Sequence, residues 1–384
     1  MPTQLENEIQ AEAERLKGKL SMLNLTEPEY VILAETTSTI NDLKKEKGAV
    51  ILAHHYMRPQ IKFGVADFVG DSLELSMKAR DLDSRMIIFC GVEFMAETAK
   101  ILNPDVKVVL PDLEAGCSLV SGFSHNGRNY DGLSAADCVR LKDLFPGVPL
   151  VSYVNSTAAV KAESYACCTS SNVQQITDRL GDMVIFVPDA NMAKNVSIET
   201  GRSLVIPQSD GNYLVMEFQQ RSGAVTQISF SLNRDAAVKY VSSHRVLIGY
   251  EGKCMVHEQF TPRQIEVIKQ QNPGIKVLSH LECSSDVLEG SDYRGSTSGM
   301  LKYIAASPAQ KFMVITECNM AGTLMQHFPD REFYTPCIIC PHMGKITLEN
   351  TLDALRHERP EITLEPGVIR RARIALNRMY ELSR

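Results

Sequence analysis

The sequence predicts an α/β protein of three homologous units, each a three-layer αβα arrangement around a short parallel sheet. Three observations point there. Apolar, β-branched runs of strand length alternate with helical segments through most of the chain, the pattern of parallel sheets covered on both faces. The alternation recurs as three blocks with matching spacing, the signature of an internal repeat. Each block closes on a cysteine, and open parallel sheets bind ligands beyond the carboxyl ends of their strands. Three blocks about a pseudo-threefold axis would aim those ends at a shared junction, which is where an active site is expected.

The elements follow in order. Residues 1–27 read as a leading helix, with helical periodicity and a charged face over about 3–22. The first block, 28–125, has the strands AVILAHHY, MIIFCG and KVVLP, separated by the helical segments SLELSMKAR and FMAETAKILN, and carries Cys117. The second, 126–258, has PLVSYVN, ACCTSS and MVIFVP and carries Cys254. The third, 259–359, has KVLSHLE, YRGSTS and KFMVITE and carries Cys340. Residues 360–384 form an amphipathic, basic helix expected to pack back on a domain with its charges solvated.

The spacing within the blocks is close. Strands ending His54-His55-Tyr56, Tyr153-Val154-Asn155 and His280-Leu281-Glu282 are followed by the hydroxyls Ser72, Ser170 and Thr297 after 18, 17 and 17 residues. Each hydroxyl is read as a helix start. Cys117 and Cys340 lie 63 and 60 residues after the openings of their blocks, whereas Cys254 lies 101 after its own. The excess is explained by a β-hairpin inserted near 212–233, where NYLVMEF and VTQISFSLN flank QQRSGA.

Composition limits the function. The chain has 384 residues, 44% hydrophobic and 22% charged, with a net charge of −6 and scattered basic residues. Nucleic acid and anionic membrane surfaces are therefore poor partners. The polar start MPTQLENEIQ is not a signal peptide, and no apolar run approaches membrane-spanning length, so the expected location is cytoplasmic. In a reducing compartment the ten cysteines are not expected to form a disulfide framework.

Three thiolates gathered at one point could bind zinc, an iron–sulfur cluster or nothing. A structural zinc site draws two ligands from a short knuckle. Here only Cys337 and Cys340 have that spacing, and no second knuckle completes it. A cluster held by three cysteines leaves one iron open to act as a Lewis acid.

The segments AHHY, ADFVGDSLELS, GVEFMAETAKILNP, PDLEAGCSL, YVNSTAAVKA, VPDANMA, CMVHEQFTP, HLECSSDV, STSGM and CPHMGKITLENTL resemble, in order and over about residues 50–355, the quinolinate synthase family. This is the iron–sulfur transferase family of NAD biosynthesis. The resemblance implies that iminoaspartate condenses with dihydroxyacetone phosphate to quinolinate, with loss of phosphate and two waters. It also implies a functional link to the enzyme that supplies iminoaspartate, and a [4Fe–4S] cluster on Cys117, Cys254 and Cys340 with one open iron. The implied substrate-binding residues are His54, Ser72, Tyr153, Asn155, Ser170, His257, His280, Glu282 and Thr297, and Tyr56 joins His54 and Glu282 in catalysis. Neutral donors suit two carboxylates, helix starts at Ser170 and Thr297 suit a phosphate, and Glu282 and Tyr56 suit proton transfer.

The chain departs from the family pattern at Leu281, where HLE stands for HPE, and at Ser298, where STSG stands for STGG. The first puts the rigidity of Glu282 in question, and the second the backbone beside Thr297. Outside the motifs, His125, His244, His327 and His342 read as ordinary histidines. Cys90, Cys138, Cys167, Cys168, Cys283 and Cys318 read as core residues, and Cys337 could pair with Cys340 as a reversible disulfide. Two other functions fit the same residues less well: a [4Fe–4S] hydro-lyase acting on another hydroxy acid, and a metal-binding or electron-transfer protein without substrate.

Overall fold

Two helices lead the chain, Gln4–Leu20 and Glu27–Lys47, each opened by a capping box, Thr3 with Glu6 and Thr26 with Glu29. They pack through Ala13, Leu16 and Leu20 against Tyr30 and Ala34. Gly48 ends the second helix at φ +60, a left-handed conformation that glycine adopts without steric cost. The structure, a computed structural model, describes residues 3–221 and 224–384.

The strands β1 (Ala49–His54), β2 (Phe68–Gly70), β3 (Met86–Cys90) and β4 (Lys107–Val109) form a parallel sheet in the order β2-β1-β3-β4. A small hairpin follows, β5 (Phe123–His125) and β6 (Arg128–Tyr130). Asn126 and Gly127 turn it with φ of 49 and 74, the pair of left-handed residues that suits a two-residue hairpin.

Next come β7 (Leu150–Tyr153), β8 (Ala166–Cys168), β9 (Met183–Val187), β10 (Ser203–Pro207), β11 (Tyr213–Arg221), β12 (Ala224–Leu232) and β13 (Val246–Ile248). They make one sheet in the order β12-β11-β10-β13-β9-β7-β8. It is parallel except where β11 and β12 join as an antiparallel hairpin on β10, so the insertion expected near 212–233 extends a sheet edge. Two parallel pairs complete the strands, β14 (Lys276–His280) with β15 (Tyr293–Gly295) and β16 (Lys311–Ile315) with β17 (Glu332–Tyr334).

The chain divides into two compact units. One comprises Met1–Gly116 and Leu301–Thr363, the other Cys117–Met300 and Leu364–Arg384. In the second, Val160, Ile185, Val187, Val205, Val215, Val246 and Ile248 are among the buried residues of an apolar core. The C-terminal helix, Pro366–Leu382, belongs to this unit and packs on the helix Ala158–Glu163 and on β8. Arg378 donates to the Tyr165 carbonyl and lies over its ring. Among the described residues no helix is long and apolar enough to cross a membrane.

The repeat read from spacing is visible in register. His54 pairs with Gly70, Tyr153 with Cys168 and His280 with Gly295, each as the last pair of its ladder. Ser72 and Thr297 are first residues of helices, Ser72–Arg80 and Thr297–Ala306. Ser170 corrects the expectation: it lies in a turn before the helix Val173–Arg179, because Asn172 caps that helix and its Oδ1 accepts from the Thr169 N–H at 2.6 Å.

Cysteine pairing brings a second correction. Cys337 bonds to Cys318, not to Cys340, and Cys318 is thus not a free core thiol. The Cys318 N–H donates to the Ile338 carbonyl at 3.0 Å, which lays Cys318 alongside Cys337. The Cys340 N–H is held separately by Glu317 Oε1 at 3.3 Å.

Candidate functional site

Each block carries its chemistry just past a strand end. Where β1 ends, the Met57 N–H closes a turn on the His54 carbonyl at 2.9 Å, and the Tyr56 N–H donates to His54 Nδ1 at 3.1 Å. Where β14 ends, the Cys283 N–H closes the same turn on the His280 carbonyl at 3.0 Å, and the Glu282 N–H faces His280 Nδ1 at 3.4 Å. The strand histidine and the residue two places on are thus locked together in both.

In the first compact unit, His54 and Tyr56 stack edge to face, with ring centroids 4.5 Å apart. Tyr56 Oη lies 2.5 Å from Thr316 Oγ1. Ser72 opens a helix capped by Asp71, whose Oδ1 accepts from the Leu73 and Glu74 N–H groups. Cys340 also belongs here. Two buried charged groups, Lys62 and Glu317, escaped the sequence reading. Lys62 Nζ donates to the His55 carbonyl at 2.8 Å, the Asn319 carbonyl at 2.7 Å and Thr323 Oγ1 at 2.8 Å. Burial pushes its pKa down to about 7, with Glu317 opposing. Burial likewise pushes Glu317 up to about 7, against the hydrogen bonds it accepts from Asn319 and Cys340. Each neutral form is favoured because water is excluded from the charge.

The second unit holds most of the expected residues. His257 Nδ1 donates to Glu282 Oε2 at 2.7 Å and lies 3.2 Å from Cys254 Sγ. His280 stacks on His257, centroids 4.6 Å apart, and its Nδ1 is 3.8 Å from Glu282 Oε2. Asn155 Nδ2 donates to Glu282 Oε1 at 3.4 Å, and Tyr153 also bonds this carboxylate. Cys254, His257 and Glu282 offer ligand atoms within 4.8 Å of one another, a group able to hold a metal ion. Thr297 is buried.

The electrostatics follow from burial and charge. Burial pushes the Glu282 carboxyl up, but the charges of His257 and then His280, with hydrogen bonds from His257 and Tyr153, hold it below the ordinary carboxylate range. Burial drives His280 down to about 4 despite Glu282. Asp189, also missed from sequence, is wholly buried and pushed well up by burial and by Glu282. It caps the helix Ala190–Thr200, its Oδ1 accepting from the Met192 N–H at 2.6 Å.

The cysteines sort themselves by exposure. Among the described cysteines outside the Cys318–Cys337 bond, Cys90, Cys138, Cys167, Cys168 and Cys283 are buried, whereas Cys117, Cys254 and Cys340 are half-buried. Burial pushes Cys90 and Cys138 up to about 12, which makes them poor thiolate ligands. Ser118 ties two of the half-buried three together. Its Oγ donates to the Lys253 carbonyl at 3.2 Å and accepts from the Met255 N–H at 3.0 Å. One hydroxyl beside Cys117 therefore grips the backbone on both sides of Cys254. Cys117, Cys254 and Cys340 are thus the thiols among these that keep some exposure to solvent.

The two departures from pattern have structural answers. Ser298 lies in the first turn of Thr297–Ala306 and is not among the left-handed residues, so serine carries no backbone penalty. Its buried Oγ has no hydrogen-bond partner. At Gly299, by contrast, a Cβ would meet Tyr293 Oη at 1.9 Å, so a larger residue there requires the tyrosine ring to move. Around Leu281, two asparagine side chains bind the backbone where proline is absent.

A family model described as quinolinate synthetase A protein matches residues 38–381. A quinolinate synthase of Caulobacter vibrioides is 39% identical over 364 residues, covering 94% of this chain and 85% of that protein. One of Sinorhizobium fredii is 38% identical over 355 residues, covering 92% and 84%. Quinolinate synthase 2 of Mesorhizobium japonicum is 39% identical over 352 residues, covering 91% and 92%.

Proposed function

Because this chain belongs to the quinolinate synthetase A family, we propose that it condenses iminoaspartate with dihydroxyacetone phosphate to quinolinate, releasing phosphate and two waters. The observation that carries the reading is the half-buried state of Cys117, Cys254 and Cys340 against five buried thiols. These three would hold a [4Fe–4S] cluster. When bound, it supplies an open iron that polarises a substrate oxygen for loss of water.

The protein's own groups divide the remaining work. Tyr153, Asn155, His54 and Ser72 offer neutral donors to carboxylates. Thr297, at a helix start, suits the phosphate, with Ser170 offering a hydroxyl from its turn. Glu282 and Tyr56 are the groups expected to transfer protons, and a carboxylate held below its ordinary range is a weak base by itself. Its 2.7 Å bond to His257 makes it the group that orients that imidazole, a side chain able to give and take protons. His257 with Glu282 is then the proton-transfer pair, and Tyr56 a second, neutral acid.

Iron and acid-labile sulfide, measured on protein purified without oxygen, should approach four of each per chain. Turnover of the two substrates should follow that content. Zinc in place of iron, or cluster-loaded protein without turnover, would overturn the reading.

A further inference from the structure

The helix Ala190–Thr200 faces the turn that presents Glu282 with two buried asparagines one helical turn apart, Asn191 and Asn195. Asn195 Nδ2 donates to the Leu281 and Cys283 carbonyls, each at 2.9 Å. Asn191 Nδ2 donates to the Glu282 carbonyl at 3.1 Å. Three consecutive carbonyls are thus turned toward one helix by two side-chain amides. Only the NH₂ end of Asn195 can face two carbonyl oxygens, so its orientation is fixed by chemistry.

The helix is itself anchored. The Ala190 N–H donates to the Gly252 carbonyl at 2.8 Å, two residues before Cys254, and a Cβ on Gly252 would meet the Pro188 carbonyl at 2.7 Å. The first compact unit holds the equivalent position in another way. There the His55 carbonyl, the counterpart of Leu281, accepts from buried Lys62 at 2.8 Å. Gripping the middle carbonyl of the turn recurs with unrelated donors, which points to presentation of the following side chain as the purpose.

We infer that Asn195, assisted by Asn191, is a positioning residue for Glu282, fixing the backbone so that the carboxylate meets His257. The inference rests on the proposed proton-transfer role of the His257–Glu282 pair. Asn191 also donates to Glu258 Oε2 at 3.1 Å, whereas the Asn195 amide donates to both outer carbonyls of the turn, so Asn195 is the cleaner probe.

Asn195→Ala and Asn195→Leu are compared with the parent chain for thermal midpoint, iron per chain, kcat and both KM values, well below the midpoint. Loss of stability alone fits a merely structural residue. Positioning requires that folded, iron-replete variants lose kcat roughly 10- to 100-fold, the scale set by misplacing a catalytic group by about 1 Å, with KM little changed. A kcat within about twofold of the parent overturns the inference. Should neither variant fold, Asn191→Ser, which frees the Glu282 carbonyl, is read by the same criterion.

A crystal structure of Asn195→Ala gives a readout independent of turnover. The Glu282 carboxylate should leave hydrogen-bond distance of His257, and finding it in place overturns the inference. A parent chain inactive with both substrates would instead sink the functional reading and leave the crystallographic test standing.

Discussion

The turns after β1 and β14 share a backbone and differ in what they present. Both lock a strand-end histidine to the residue two places on, and both have the carbonyl between them gripped from a neighbouring helix. The first delivers Tyr56, a neutral hydroxyl against Thr316. The second delivers Glu282, an ionised carboxylate against His257. The two turns thus share the device that aims a side chain and differ in the chemistry at its tip and in the gripping residue, lysine in one and asparagine in the other.

The sharpest way to break this comparison is to neutralise both tips. Glu282→Gln should lower kcat by about 10²- to 10⁴-fold, the range for removing general acid–base help. Tyr56→Phe should cost nearer tenfold, since a neutral hydrogen bond is lost and no charge is stranded. Equal losses, measured by initial rates on cluster-replete protein, would mean that the two turns do the same work.

The gripping residues can be compared by stability. Lys62→Met takes the donor from two buried acceptors and one half-buried carbonyl and should cost about 2–4 kcal/mol in urea denaturation.

The pH dependence provides a subtler contrast. His280 has its pKa lowered to about 4, so the unfolded chain takes up its proton first as pH falls. Its contribution is complete above about pH 6.5 and is lost progressively toward pH 4, with a slope of up to about 1.4 kcal/mol per pH unit. Glu317, raised to about 7, acts with the opposite sign: its contribution is complete below the ordinary carboxylate range and is lost as pH rises through 7. The difference between the parent and His280→Asn isolates the histidine, and a difference that does not vary with pH would mean that folding leaves the His280 pKa unchanged. The smallest effect is expected from Ser298→Ala. Removing a buried hydroxyl without a partner should raise stability by up to about 1 kcal/mol, read as a higher thermal midpoint.

Much of this was legible in the sequence, because strand periodicity and repeat spacing are local signals. The register pairs at His54, Tyr153 and His280 fall where the spacing put them, and the inserted hairpin was recognisable from its own alternation. The hairpin at Asn126-Gly127 also carried a local signal and was overlooked. Ser170 misled because a hydroxyl resembles a helix start, whereas the cap is Asn172, two residues later.

The rest depends on contacts between distant segments. Nothing near Asn195 in the chain announces that it meets residues 281 and 283, and Lys62 reads as a surface lysine on a short helix. The Cys318–Cys337 bond was missed for the same reason, since the nearer Cys337–Cys340 spacing drew the eye, while a backbone contact from Cys318 to Ile338 decides the pairing.

Both compact units are assembled from separated stretches of chain, and this bears on how the protein is made. The first unit lacks β16, β17 and the helix Leu348–His357 until residues 117–300 have been synthesised, a wait of roughly 10–40 s at ordinary elongation rates. The second needs its final helix, Pro366–Leu382. Neither can complete its core on the ribosome until nearly the whole polypeptide has emerged, so the nascent N-terminal segment passes that interval with apolar strand surface uncovered.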